Sequence, residues 1–538
     1  MEPVSAKSRT LPNAVQRPFP MIATTTRFED TLNSLRSKGK LRTRYDNFIG
    51  GKFVPPVEGR YYTDKSPING EALCEIARSS PIDIERALDA AHAVRRAWAR
   101  ISPPERAKML NTVADRIEEH LETIALVETM DNGKPIRETL AADVPLAADH
   151  FRYFAACLRA EEGSISEIDH DTIAYHFREP YGVVGQIIPW NFPLLMAAWK
   201  LGPALAAGNC VVLKPASETP LSVMVLMELI ADVFPPGVVN VVNGKGSEIG
   251  HALGANPRIS RVAFTGATST GQQIMQYASE TIIPMTMELG GKSPNIFMAD
   301  VMEADDAFFD KALEGFALFA FNKGEVCTCP SRALIQESIF DRFMERAIAR
   351  VSNIRVGDPL DPATMMGAQA SQEQFDKIMR YIEIGKEEGA RCVTGGAAAR
   401  LDGDLANGYY VQPTVFVGQN KMRIFQEEIF GPVLSVTTFK DFDEAVEIAN
   451  SVDYGLSTAL YTRDVNRAFA AIRDLEAGIT YINAPTIGAE VHLPFGGVKH
   501  TGNGHREGLG ALDFFTTWKA VYVDYSDKLQ RAQIDNAE

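Results

Sequence analysis

From residue 183 onward the chain alternates short apolar runs with amphipathic stretches, and few architectures accept that rhythm. Residues 210–213, 238–242 and 260–265 read as buried strands, while 221–234, a run from Ser247, and 269–280 read as the helices between them. A helix carries the chain back to the edge where the preceding strand began, so strands spaced this way run parallel and are joined by crossovers. The fold class is therefore α/β, and a ligand is expected beyond the carboxyl ends of the strands. Residues past Leu289 repeat the theme, with long helices at 341–351 and 372–388. A chain of 538 residues has room for two or three packed domains.

Before this core, Asn47 to Val54 reads as a hairpin turning on Gly50 and Gly51. Residues 82–99, 104–128 and 146–158 read as amphipathic helices. Residues 172–178 alternate like an exposed strand, and 518–525 is strand-like as well. Residues 1–44 are an N-terminal extension in which basic residues outnumber acidic ones and Pro12, Pro18 and Pro20 interrupt any helix. The expectation is a ragged, partly disordered segment or a true start at Met21; a transit peptide is the alternative.

The net charge of −15 argues against nucleic acid and anionic membranes as partners. The longest apolar stretch, 196–213, is broken by Lys200 and Asn209, so no membrane span is expected. Six cysteines without framework spacing fit a reducing, cytoplasmic setting, and nine histidines without paired ligand spacing suggest no metal.

The segment Phe321-Asn322-Lys323-Gly324-Glu325-Val326-Cys327-Thr328-Cys329 follows a helical run over 306–321. Gly324 breaks that run and permits a tight turn. A cysteine just past it is a candidate nucleophile, because nearby backbone N–H groups favour the thiolate. Two blander readings stand beside this one: a small buried apolar residue, and a Cys-x-Cys redox or metal pair with Cys329. Upstream lie Glu288-Leu289-Gly290-Gly291 and Pro189-Trp190-Asn191-Phe192-Pro193. Phe264-Thr265-Gly266-Ala267-Thr268-Ser269-Thr270-Gly271 sits where a strand feeds a helix, a place suited to a pyrophosphate but weak evidence alone.

Taken together, these segments resemble the aldehyde dehydrogenase superfamily from about Tyr45 to the C-terminus. Over 45–442 the chain is most similar to bacterial acetaldehyde dehydrogenases of the acetoin and ethanol catabolic type. The resemblance implies a Rossmann-variant cofactor domain (45–161 and 181–289), an α/β catalytic domain (290–517) and a β oligomerisation arm (162–180 and 518–526). It implies NAD or NADP as cofactor, an aldehyde and water as substrates, and a homotetramer or homodimer.

Residue by residue, the resemblance makes Cys327 the nucleophile, Asn191 an oxyanion donor with the Cys327 N–H, and Glu288 the base for thioester hydrolysis. Lys200 and Glu507 match a proton-relay pair, although His505 intrudes beside Glu507. Ile188, Pro189, Trp190, Gly246, Gly266, Gly271 and Leu289 fall at cofactor positions. Ala267 replaces a serine often found there, and Ser217 stands where many members carry an acid toward the adenosine ribose. Lys214 is placed for a ribose hydroxyl; Glu428 and Phe430 match the clamp on the nicotinamide ribose. Phe192, Met196, Trp199, Val326, Thr328 and Phe495 would line the substrate channel, though Met196 and Trp199 also suit a core stripe. Gly488-Ala489-Glu490 departs toward enzymes of polar semialdehydes, which is the alternative to a short aliphatic substrate. An acylating dehydrogenase using coenzyme A and a silenced scaffold are the remaining alternatives.

Overall fold

The computed structural model describes residues 28–503 and 508–526. Two seven-stranded sheets organise it. Across the first, the strands run Met285–Glu288, Arg261–Thr265, Val183–Ile187, Cys210–Lys214 and Val239–Val241, all parallel. The hairpin Asn47–Ile49 and Lys52–Val54 extends the Val239–Val241 edge in antiparallel fashion. Every residue of Val183–Ile187 and Cys210–Lys214 is buried, as expected for parallel strands covered on both faces.

From Val183–Ile187 the chain steps one way across the sheet, then returns to place Arg261–Thr265 on that strand's other side. Two neighbouring strands thus send their outgoing loops apart and leave a crevice beyond their carboxyl ends. Ile188-Pro189-Trp190 leaves one strand and Gly266-Ala267 leaves the other.

The second sheet runs Arg391–Thr394, Thr414–Val417, Val433–Phe439, Pro330–Gln336, Ser293–Phe297, Ser457–Tyr461 and Ile479–Ile482, antiparallel only at its first pair. A third sheet pairs Thr172–Pro180 with Thr516–Asp524 on one side and Ser164–Asp169 on the other. Helix Gly510–Phe515 lies in the span expected to be catalytic but packs into the core beneath the first sheet, where Phe515 O accepts from Asn209 Nδ2 at 2.8 Å.

Two expectations differ from the structure. The helix expected over 104–128 is two helices, Pro103–Glu119 and Leu121–Asn132, broken at His120. The first buries a stripe of Leu110, Val113, Ala114 and Ile117, whereas the second buries every residue from Val127 to Asn132 and must turn inward. Residues 28–44 are folded and do not belong to a ragged extension. Phe28–Ser37 is a helix that buries Phe28, Leu32 and Leu35 at helical spacing, with Arg36 Nη2 donating to Leu73 O at 2.7 Å. Counting its basic residues hid that stripe. Met21 and the transit-peptide question lie outside the described residues. Among the described residues no helix is long and apolar enough to cross a membrane, and no three His, Cys, Asp or Glu cluster as metal ligands.

Candidate active site

Helix Ala307–Ala317 starts on Asp306, whose carboxylate accepts from the N–H groups of Phe308 and Phe309, and runs into the turn Leu318–Gly324. Three successive residues there are left-handed: Asn322 at φ 42°, Lys323 at 61° and Gly324 at 75°. The glycine accounts for only one of them, and each non-glycine residue in this region costs about 1–2 kcal/mol. The neighbours hold them there. Asn322 N donates to the Glu138 carboxylate at 3.1 Å, and its Nδ2 donates to Asn191 O at 3.1 Å. Lys323 Nζ donates to Asn132 Oδ1 at 2.6 Å and pairs with Glu325 at 2.9 Å, both side chains being fully buried. A Cβ on Gly324 would lie 2.2 Å from the backbone of Gly431.

Glu288 ends strand Met285–Glu288 at the carboxyl edge of the first sheet and is 5% exposed. The two glycines after it are dictated by close approach. A Cβ on Gly290 would sit 2.6 Å from the Glu428 carboxylate, and one on Gly291 would sit 2.3 Å from Cys327 O. The segment therefore lies directly against the nucleophile segment and the Glu428 loop. Asn191 is buried, and its Nδ2 donates to Glu325 O at 2.9 Å, which ties the amide to the backbone two residues before Cys327.

Burial pushes the Cys327 thiol up to about 12, with the charges of Glu288 and Glu428 acting in the same direction. The N–H groups of Thr328 and Cys327 pull it down but lose. The turn's expected preference for thiolate is thus overridden in the free protein. Cys329 faces the other way: its Sγ donates to Phe319 O at 3.4 Å and it packs into the second sheet's core.

Cys327 and Glu288 line one cavity of about 850 Å³. At its crevice end are Pro189, Trp190, Gly266, Ala267, Leu289, Glu428 and Phe430. Trp190 and Phe430 meet edge to face with ring centroids 5.3 Å apart. Glu428 Oε1 accepts from Gly291 N at 2.8 Å. Phe430 is strained at φ 61°, and its carbonyl accepts from Gln374 Nε2 at 2.5 Å. Gln374 and Lys377, the latter offsetting the charge of Glu428, escaped the sequence reading. Nothing in a polar helix start marks which residues face a crevice.

At the other end, Phe192, Met196, Trp199, Val326, Thr328 and Phe495 all line the cavity. Met196 and Trp199 do so while remaining buried in the core, so both of their readings hold. Leu146, His150, Phe321 and Ile487-Gly488-Ala489 join them, whereas Glu490 is exposed.

The remaining candidates lie outside this lining. Lys214 is buried and spends Nζ on Pro215 O at 2.8 Å, and burial lowers its ammonium to about 8. Ser217 Oγ reaches Gly244 O at 3.4 Å. Gly246 opens helix Gly246–Gly254, Gly271 N donates to Ala267 O at 2.9 Å, and Ile188 N donates to Lys214 O at 3.2 Å. Lys200 is buried on helix Pro193–Ala206, one residue past Trp199. Its expected partner Glu507 lies outside the described residues.

A crevice at a strand-order reversal, opening onto a buried carboxylate and a cysteine, defines a dehydrogenase-type α/β enzyme. A sequence model of the aldehyde dehydrogenase family matches residues 53–521. The chain belongs to the aldehyde dehydrogenase family, and its enzyme class is that of an oxidoreductase acting on aldehydes. It is 63% identical over 485 residues to acetaldehyde dehydrogenase 2 of Cupriavidus necator, covering 90% of this chain and 96% of that one. It is 61% identical over 489 residues to aldehyde dehydrogenase B of Escherichia coli K12, covering 91% and 95%. An indole-3-acetaldehyde dehydrogenase of P. syringae, solved with NAD+ and IAA, superposes with a TM-score of 0.88 at 38% identity, covering 93% of this chain and 100% of that one.

Proposed function

We propose that this chain oxidises a short aliphatic aldehyde to the free carboxylic acid through a thioester on Cys327, with NAD or NADP as cofactor. The observation that carries this reading is that Cys327 and Glu288 share one cavity that opens onto the crevice of the first sheet. The crevice suits a dinucleotide. Gly290 has hydrogen where any Cβ would strike Glu428, and the buried hydroxyl of Thr265, which lines the cavity, has no hydrogen-bond partner among the described residues. Gly266 and Ala267 would carry the pyrophosphate at the start of helix Thr268–Ser279, and Glu428 with Phe430 the nicotinamide ribose. A dinucleotide bound there supplies the hydride acceptor.

The protein's own groups do the rest. The thiol of Cys327 loses its proton to water as its sulfur bonds to the aldehyde carbon, and the carbonyl oxygen takes up the negative charge. The Cys327 N–H and the second N–H of the Asn191 amide are the donors for that oxygen, each worth roughly 10²–10³ in rate. Oxidation leaves an acyl thioester. Glu288 then takes a proton from the water that attacks it, so that acid is released and Cys327 is restored. The carboxylate also favours this reading over acyl transfer to coenzyme A, which needs no base for water. The exposed Glu490 and the apolar groups around Thr328 favour an aliphatic tail over an ionic one.

Cofactor reduction on adding acetaldehyde without coenzyme A is the first test. In Glu288→Gln, reduced cofactor should appear as a burst of one turnover and quenched protein should carry an acyl adduct by mass spectrometry. Neither burst nor adduct would remove Glu288 from hydrolysis.

A further inference from the structure

Of the groups that form the substrate end of the cavity, His150 stands out. It projects from helix Val144–Cys157, which presents Leu146 and His150 to the cavity beside Trp199 of helix Pro193–Ala206. The imidazole is 4% exposed, and it stacks on Trp199 with centroids 5.3 Å apart and planes at 22°. Trp199 in turn meets Phe495 edge-on at 4.9 Å. His150 Nδ1 lies 2.7 Å from Leu146 O. A carbonyl oxygen only accepts, so Nδ1 carries the ring proton and Nε2 carries a lone pair. Stack and hydrogen bond together fix the plane and the edge of the ring. No protein donor among the described residues is placed on Nε2. Burial also holds the ring neutral, lowering it to about 4.

An acceptor set in an apolar wall is costly when bare, and it favours a ligand that brings a donor. We propose that His150 is a specificity-determining residue, whose Nε2 accepts a hydrogen bond from a hydroxyl on the tail of the aldehyde. The enzyme is then selective for hydroxyaldehydes over alkyl aldehydes of the same size. The inference rests on aldehyde oxidation at Cys327 and adds the substrate class to it. A hydroxyl fits better than an ammonium. Asp143, from the turn just before the same helix, already pairs with Lys134, and the Lys134 ammonium sits 4.1 Å from the ring centre of Phe192, which also lines the cavity. A carboxylate fits poorly, because the one N–H of His150 is engaged with Leu146.

The test uses pairs in which a hydroxyl replaces a methyl: glycolaldehyde against propanal, and 3-hydroxypropanal against butanal. Values of kcat/KM are measured for the wild type, His150→Leu and His150→Gln. In the wild type the hydroxy member of at least one pair should be favoured by about tenfold or more, because a site built around a hydroxyl rejects the analogue lacking it. His150→Leu should erase or invert that ratio while still oxidising propanal, and His150→Gln, which keeps an acceptor, should restore part of it. A residue that only supports the fold would lower both members alike. A wild type that favours the alkyl member of both pairs, or a ratio unchanged in His150→Leu, overturns the proposal alone. A preference for 3-aminopropanal over 3-hydroxypropanal overturns the choice of hydroxyl. A wild type that reduces cofactor with none of these aldehydes overturns the oxidation reading and this one with it.

Discussion

At Cys327, burial and two carboxylates hold the thiol high, while Cys329 donates its thiol to a carbonyl and packs into the second sheet's core. Cys327→Ala should therefore abolish aldehyde oxidation while leaving cofactor binding intact, measured by quenching of tryptophan fluorescence. Cys329→Ala should keep most activity; its expected cost is a smaller core side chain, on the order of 1 kcal/mol of stability. Equal loss of activity in both would refute a single nucleophile. Ser217 poses the cofactor question. In the family an acid at this place repels a 2′-phosphate, and a serine hydroxyl does not. Both NADP and NAD should be usable, with a modest preference either way, and Ser217→Glu should weaken NADP selectively by on the order of 1–4 kcal/mol, the repulsion of like charges a few ångströms apart. Steady-state kinetics with both cofactors decide it, and an unchanged NADP/NAD ratio sinks the idea.

At the scale of the element, the reversal at Asn322, Lys323 and Gly324 sets the position of the proposed nucleophile. It carries the chain from a helix of the second sheet to the edge of the first within a few residues, and its strain is balanced by bonds to Glu138, Asn132, Asn191 and Glu325. Gly324→Ala adds a Cβ where Gly431 stands and places a side chain at φ 75°. The bend carrying Gly431, just before strand Val433–Phe439, cannot yield without moving Glu428 and Phe430. The substitution should cost more than about 2 kcal/mol of stability and lower activity at least tenfold in the protein that still folds. Thermal melting and kinetics on the soluble fraction check this; wild-type values of both would show that the close approach is not needed. Lys323 and Glu325 form a fully buried pair, so losing one partner leaves a bare charge.

On the scale of the whole molecule, the third sheet leaves large apolar side chains uncovered among the described residues. Ile165, Ile168, Tyr175, Phe177, Trp518 and Tyr522 are all exposed on a narrow three-stranded ribbon. Ile165, Tyr175 and Phe177 share one face of the ribbon and Trp518 and Tyr522 the other, so apolar side chains stand on both faces, and the expected occupant is another copy of the chain. Replacing both Trp518 and Tyr522 by Glu should lower the mass measured by light scattering to that of a smaller assembly, without loss of far-ultraviolet dichroism. An unchanged mass would remove the ribbon from assembly.

The strand–helix alternation after residue 183 determined by itself that the first sheet is parallel, because apolar runs joined by crossover helices have no other way to bury both faces. It also determined where a crevice must form, while the roles proposed for Cys327, Glu288 and Asn191 came from the resemblance of their segments to the family. Local patterning reached no further. The left-handed conformations of Asn322 and Lys323, the approach of Gly290 and Gly291 to neighbours far along the chain, and the places of Gln374 and Lys377 all depend on contacts between distant segments. The thiol of Cys327 shows the limit most directly. A turn rich in N–H groups favours thiolate, yet burial and two carboxylates from other segments outweigh it, and those exist only once the sheets are packed.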